Sequence, residues 1–150
     1  MSSGLVPGRF VVGFPVDPVR REVALIHKLR PEWQRGKLNG MGGRIELGES
    51  PVGAMRREAA EEAGLTDVQW LQFHYERHAN GPQLWFYVAA VDSLRERVRT
   101  LTDERVVVVP LPIFSVDFLR NPDVYVYNLC FLVPMATTYL AHEDRRYLEG

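Results

Sequence analysis

Residues Gly43 to Leu65, GRIELGESPVGAMRREAAEEAGL, decide how this chain is read. Helix signals stand there in the right order: Ser50 offers an N-cap side chain, Pro51 takes the first helical position where its missing N–H costs nothing, and Gly64 stops the helix. On such a helix Glu58 and Glu62 are four apart and Glu58 and Glu61 three apart, so the spacing predicts one carboxylate face with Cβ atoms roughly 5–6 Å apart. Val52, Met55, Ala59 and Ala63 form an apolar stripe expected on the opposing side, able to lie on a sheet. Three like charges on one face repel by a few tenths of a kcal/mol per pair in water. The cluster makes sense around a hard divalent cation. Oxygen-only ligands point to magnesium or manganese, and magnesium keeps waters and recruits substrate phosphates.

Glutamate-rich helices are more often solvated faces, so the wider pattern has to carry the argument. Gly43, Glu49, Arg57, Glu58, Glu61, Glu62 and Gly64 are seven specified residues at fixed spacing. Chance would give such a set about once in a million chains of this size, at roughly one in fifteen per residue type. The run Gly43-x5-Glu49-x7-Arg57-Glu58-Ala59-x-Glu61-Glu62-x-Gly64-Leu65 resembles the Nudix box at every defined position, with alanine at 59 where a larger aliphatic residue is common. The resemblance implies an α/β protein, a Nudix α/β/α sandwich with a mixed β-sheet flanked by helices. It also implies a phosphoanhydride hydrolase dependent on Mg2+, with Mn2+ a substitute. By the same resemblance Glu58, Glu61 and Glu62 would hold the metal together with the Gly42 or Gly43 carbonyl. Arg57 would orient a box glutamate, Glu49, and either Glu58 or Glu61 would be the general base.

Outside the box, Asn39-Gly40-Met41-Gly42-Gly43 resembles the lead-in of members that sanitise oxidised purine nucleoside triphosphates. Asn39 would then bond a nucleobase edge, or else simply serve the turn, since Asn-Gly is a common turn pair. Lys28 and Arg30 either meet phosphate oxygens or form a solvated edge, and Trp33 either stacks on a base or packs its loop. Asn121-Pro122-Asp123 falls where the sanitising members place acidic base-reading residues, a partial match that makes Asp123 a candidate contact. The proline typical of ADP-ribose hydrolases has only an offset counterpart in Pro82. The expected reaction is therefore a nucleoside triphosphate cleaved to monophosphate and pyrophosphate. The alternatives are hydrolysis of ADP-ribose or another nucleoside diphosphate derivative, and a non-catalytic nucleotide-sensing domain.

Flanking segments set the frame. Arg9–Val16 and Glu22–Leu29 read as strands joined through Asp17-Pro18, and the period-2 rule puts His27 on the face of Val23 and Leu25, inward or toward a cleft. Arg30 to Gly43 reads as irregular and glycine-rich. Asp67–Glu76 and Gln83–Val91 read as strands around the Asn80-Gly81 turn, the run Leu84 to Val88 being apolar enough to be covered on both sides. Asp92–Thr102 reads as a solvated loop or short helix, Arg105–Pro110 as a strand, and Tyr127–Ala141 as a closing helix kinked or restarted at Pro134. His74 and His78 sit in a strand and its exit, a poor setting for a metal pair. Residues 1–8 look like a tag-derived or flexible N-terminus, leaving 9–150 as a single domain.

Eighteen basic and nineteen acidic residues give a net charge of -1, which offers no basic face for a nucleic-acid polymer and leaves a small nucleotide as the expected partner. One cysteine, Cys130, stands in an apolar run and reads as a small hydrophobe. With no internal disulfide to form and no run of membrane-spanning length, the expected location is cytoplasmic. A homodimer remains open from the family resemblance.

Overall fold

The computed structural model describes residues 8–112 and 122–144; residues 1–7 of the segment read as tag-derived, and the last six of the chain, lie outside them. Seven strands form one mixed sheet: β1 (Arg9–Asp17), β2 (Glu22–His27), β3 (Leu38–Asn39), β4 (Met41–Arg44), β5 (Leu71–Arg77), β6 (Gln83–Ala90) and β7 (Arg105–Pro110). The order is β3-β2-β1-β6-β5, with β4 added on β1 and β7 on β2. Among the described pairs of neighbouring strands, β1 and β6 alone pair in parallel. Among the described residues three α-helices accompany the sheet: α1 (Pro51–Ala63), α2 (Leu94–Arg97) and α3 (Leu129–Glu143).

Side-chain alternation explains the layers. Val11 of β1, Ala24 and Ile26 of β2, and Tyr87 and Ala89 of β6 point to the side where Ala54, Met55, Ala59 and Ala63 of α1 lie. Phe14 and Val16, Val23 and Leu25, and Phe86 and Val88 point the other way, onto Leu129, Leu132, Val133, Ala136 and Leu140 of α3. β6 is thus covered on both sides, as its unbroken apolar run predicts. The result is the α/β/α sandwich.

The sheet is split at β1. Its first half pairs with β4, from Phe10↔Arg44 to Gly13↔Met41. Its end pairs with β2 through Val16↔Val23 and Asp17↔Glu22. The two neighbours then diverge, and the chain from 38 to 44 drives into the gap as a wedge, bonding first to β2 (Ile26↔Asn39) and then to β1. Pro15 falls between the two ladders, where a missing N–H costs least. Gly40 sits at the crossing: a Cβ there would come within 2.7 Å of a Val12 methyl and 2.9 Å of the Gly13 carbonyl oxygen. The stretch expected to be irregular from Arg30 to Gly43 is irregular only to Lys37, apart from a 3-10 turn at Glu32–Gln34. Its glycines serve close strand packing.

Two further expectations change. The glutamates do not oppose the apolar stripe of α1 but adjoin it. At 100° per residue, Glu62 lies about 60° and Glu58 about 100° around the helix from Ala59, so both are half-buried against the sheet while Glu61 stays exposed. The closing helix runs unbroken through Pro134, starting at Leu129 rather than Tyr127, because the residues on either side of the proline are anchored in the α3 core. Cys130 is half-buried within it.

Candidate active site

The site is built on α1. Its start is fixed by the Ser50 hydroxyl, which accepts from the Gly53 N–H at 3.1 Å, and its end by Gly64, left-handed at φ 67°, whose N–H reaches the Ala60 carbonyl. Between these caps the helix is held in rotation by Met55, Ala59 and Ala63, all fully buried. That rotation delivers Glu58 and Glu62 onto β4. Glu62 Oε2 accepts from the Gly42 N–H at 3.0 Å. A Cβ on Gly43 would lie 2.5 Å from Glu58 Oε1, so glycine is what lets the carboxylate approach the strand. A Cβ on Gly42 would overlap the Val11 carbonyl outright.

Arg57 gathers the rest. Its Nε and Nη2 clamp both oxygens of Glu49 at 2.7 and 3.0 Å, and Nη2 also donates to the Arg44 carbonyl at 3.0 Å. Nη1 donates to Glu58 Oε1 at 3.0 Å and to Glu61 Oε2 at 3.2 Å. Glu49 in turn accepts from the Glu46 N–H. One guanidinium thus ties the loop before α1, the strand β4 and two box carboxylates together, a fork geometry that lysine lacks.

Charge and burial work against each other here. Burial, Glu58 and Glu104 raise the Glu62 carboxyl to about 8 despite the offsetting pull of Lys28 and the Gly42 N–H. Burial also raises Glu58, opposed by Arg57 and by a hydrogen bond from Glu62. Glu49 is lowered by the Arg57 bonds and the Glu46 N–H. Two half-buried carboxyls side by side are electrostatically costly without a cation between them. Among the described residues no three side chains of His, Cys, Asp or Glu already stand close enough to hold a metal, because Glu61 is turned outward to Arg57. The donor set nevertheless fits a hard cation: carboxylate oxygens beside a double-glycine strand, with no nitrogen or sulfur among them.

The expected substrate contacts are placed unevenly. Lys28 lies on the α1 side, and its Nζ meets Glu104 Oε1 at 3.1 Å. Arg30 is exposed and forms a two-point pair with Asp103. Trp33 is 55% exposed in the 3-10 turn. Asn39 shares the face of Ile26, but its Oδ1 accepts from the Gly40 N–H and its Nδ2 donates to Gln34 Oε1, both at 2.8 Å. Its amide is thereby engaged by Gln34 and by the Gly40 N–H. Asp123 is exposed in a short 3-10 turn just before Tyr125, which bridges to Leu38, so it stands near the outer end of the wedge. His27 pairs with Leu38 on the α3 side and takes no part. His74 and His78 each meet one oxygen of Glu76 at 3.1 Å, on the edge strand β5 away from α1.

Glu104 escaped the sequence reading. It is only 7% exposed, it falls between the charged run Asp92–Thr102 and the strand expected from Arg105, and nothing local marks it. Burial pushes its carboxyl up, yet N–H bonds from Leu29 and Arg30 and the Lys28 ammonium outweigh that and hold it low.

A split mixed sheet, with a capped helix laying glutamates on a Gly-Gly strand under an arginine clamp, defines the Nudix class of domain. The NUDIX domain family matches residues 9–126, and the chain belongs to that family. A 66-residue stretch is 44% identical to the ADP-ribose pyrophosphatases of Escherichia coli and Shigella flexneri, covering 39% of this chain and 30% of those proteins. Among solved structures, MutT from a study of Aliivibrio salmonicida and Vibrio cholerae superposes with a TM-score of 0.60 at 22% identity, over 77% of this chain and 85% of that one. A Deinococcus radiodurans protein superposes with a TM-score of 0.68 at 16% identity, over 91% of this chain and 88% of that one. These likenesses speak for the fold. No described helix is long and apolar enough to cross a membrane.

Proposed function

We propose that the chain hydrolyses a diphosphate linkage in a nucleotide-like small molecule with the help of a divalent cation, magnesium first and manganese as substitute. The observation that carries this is the pair Glu58 and Glu62, held half-buried against Gly42 and Gly43 with Glu58 gripped by Arg57. Glu58, Glu61 and Glu62, with a Gly42 or Gly43 carbonyl, would hold the cation. When bound, it would neutralise phosphate oxygens and make an attacking water more acidic. In the reaction a water oxygen bonds to phosphorus, the anhydride P–O bond breaks, and the water's proton passes to a glutamate. Glu58 suits that task better than Glu61, which is exposed at the rim. Arg57 fixes the direction of Glu58 while its other nitrogens hold Glu49. Lys28 adds positive charge on the same side of the sheet, suited to a phosphate oxygen.

The favoured substrate class is a nucleoside triphosphate, oxidised or not, cleaved to monophosphate and pyrophosphate, with Trp33, Arg30, Asn39 and Asp123 as the base and phosphate contacts. A second reading, ADP-ribose, is favoured by the 44% identity to ADP-ribose pyrophosphatases, although that match covers 30% of their length. The engagement of the Asn39 amide by Gln34 weighs on the same side. The deciding assay is product analysis with magnesium and with EDTA on ordinary and oxidised deoxynucleoside triphosphates and on ADP-ribose. Magnesium-dependent pyrophosphate from one triphosphate supports the first reading, and ribose 5-phosphate with AMP from ADP-ribose the second. Binding without turnover would replace both with a sensing domain.

A further inference from the structure

We infer that Glu104 is a positioning residue that sets substrate affinity by pinning the β2–β3 arm, residues 28 to 37, beside the glutamate face. This rests on the reading of that face as the reaction site. Glu104 accepts the Leu29 N–H at 2.7 Å and the Arg30 N–H at 3.3 Å on Oε2, and the Lys28 ammonium at 3.1 Å on Oε1. Its own backbone is fixed by the Thr102 hydroxyl, which accepts from the Glu104 N–H at 3.1 Å. The neighbouring Asp103 grips Arg30, so two consecutive acids hold three consecutive residues of the arm. A carboxylate this buried is stable only because its partners satisfy it, which makes the contact an anchor rather than a surface pair.

The arm has little else to hold it there. Beyond Arg30 its residues are largely exposed up to Leu38. Its base is closed by the Lys28 N–H to the Lys37 carbonyl and the Gly36 N–H to the Lys28 carbonyl, both 2.8 Å. It carries Trp33 and Gln34, and Gln34 bonds Asn39 on the wedge. Glu104 therefore links the base of the arm to the start of β7, and it holds the Lys28 ammonium, whose charge acts on Glu62. Loosening it would free the arm and let the Lys28 ammonium swing, while α1 and its arginine clamp stay in place.

The test combines Glu104→Gln with Lys28→Met and the double variant, in two independent readouts. In the free protein, without nucleotide or metal, hydrogen exchange across residues 28 to 37 should quicken about tenfold or more in Glu104→Gln while protection of α1 is unchanged. With magnesium and either deoxyguanosine triphosphate or ADP-ribose, whichever is turned over, KM should rise about five- to twentyfold with kcat within about threefold. Adding Glu104→Gln to Lys28→Met should then cost far less than adding it to the parent. Unchanged exchange in the arm would overturn the positioning role. So would a fall in kcat of a hundredfold or more that persists in the Lys28→Met background with a weakened magnesium requirement curve, since Glu104 would then act at the cation itself. If neither nucleotide is cleaved, the reaction reading fails on its own, and the exchange result still decides whether Glu104 holds the arm.

Discussion

Replacing Glu62 by glutamine should abolish a pH dependence of stability that the parent protein displays when metal is removed. An unfolded glutamate ionises near 4.5, whereas the native Glu62 carboxyl keeps its proton to about 8. Between those values the unfolded chain binds fewer protons than the native one, so stability falls as pH rises. The contribution is fully present below about pH 4.5 and is lost through about pH 8. At about 1.4 kcal/mol per pH unit the ceiling is roughly 5 kcal/mol. Rotation of the ionised side chain toward water relieves part of this, and about 1–3 kcal/mol is the expected measurable loss. For a domain of 150 residues that is roughly 3–10 °C in melting temperature. Thermal unfolding in EDTA at pH 6 and pH 9 reads it directly. The parent should lose that interval, magnesium at pH 9 should restore it, and Glu62→Gln, whose amide oxygen still accepts from the Gly42 N–H, should show a much flatter profile. Equal losses in parent and variant would refute the account of Glu62 as the strained carboxyl.

Glu58→Gln should lower kcat by at least about a hundredfold with an unchanged circular dichroism spectrum; retained turnover would remove Glu58 from the chemistry. Arg57→Lys breaks the two-point grip on Glu49 and cannot span Glu58 and the Arg44 carbonyl together, so kcat should fall about tenfold or more even though the charge is kept. Gly42→Ala drives a methyl into the Val11 carbonyl and should cost about 3 kcal/mol or more in urea unfolding. Gly48→Ala, left-handed at φ 83° but with nothing within 4 Å, should cost only about 1 kcal/mol. Similar costs at the two glycines would contradict the wedge packing.

What could be read from the chain was what sequence distance encodes. Ser50, Pro51 and Gly64 are local signals, and the helix they predict is the helix observed, from Pro51 to Ala63. The Glu58–Glu62 spacing puts both on one side without reference to anything else. The wedge could not be read this way, because Gly40 and Gly42 owe their identity to Val12 and Val11, some thirty residues earlier. Glu104 was invisible for the same reason: its partners lie 74 to 76 positions away. Gln34 and Asn39 are only five apart, yet an amide pair across a loop leaves no periodic trace. The face of α1 that carries Glu58 and Glu62 was misjudged by a rotation of about 80–120°, since a glutamate is assumed to seek water until a strand of glycines offers it room.

The split at β1 carries an implication for how such a molecule diversifies. The part of the sheet that bears Gly42, Gly43 and the helix above them is fastened to β1, whereas the arm with Trp33 and Gln34 hangs from β2 and β7. A loop inserted or trimmed in the arm is therefore absorbed on the far side of Gly40, and the register that seats the carboxylates need not move. On the proposed reading of the site, ligand preference and bond cleavage would then vary on separate schedules: retailoring the arm would alter the ligand bound while the glutamate face beneath is inherited intact. Grafting residues 29 to 37 between members of the fold is the engineering counterpart of that freedom.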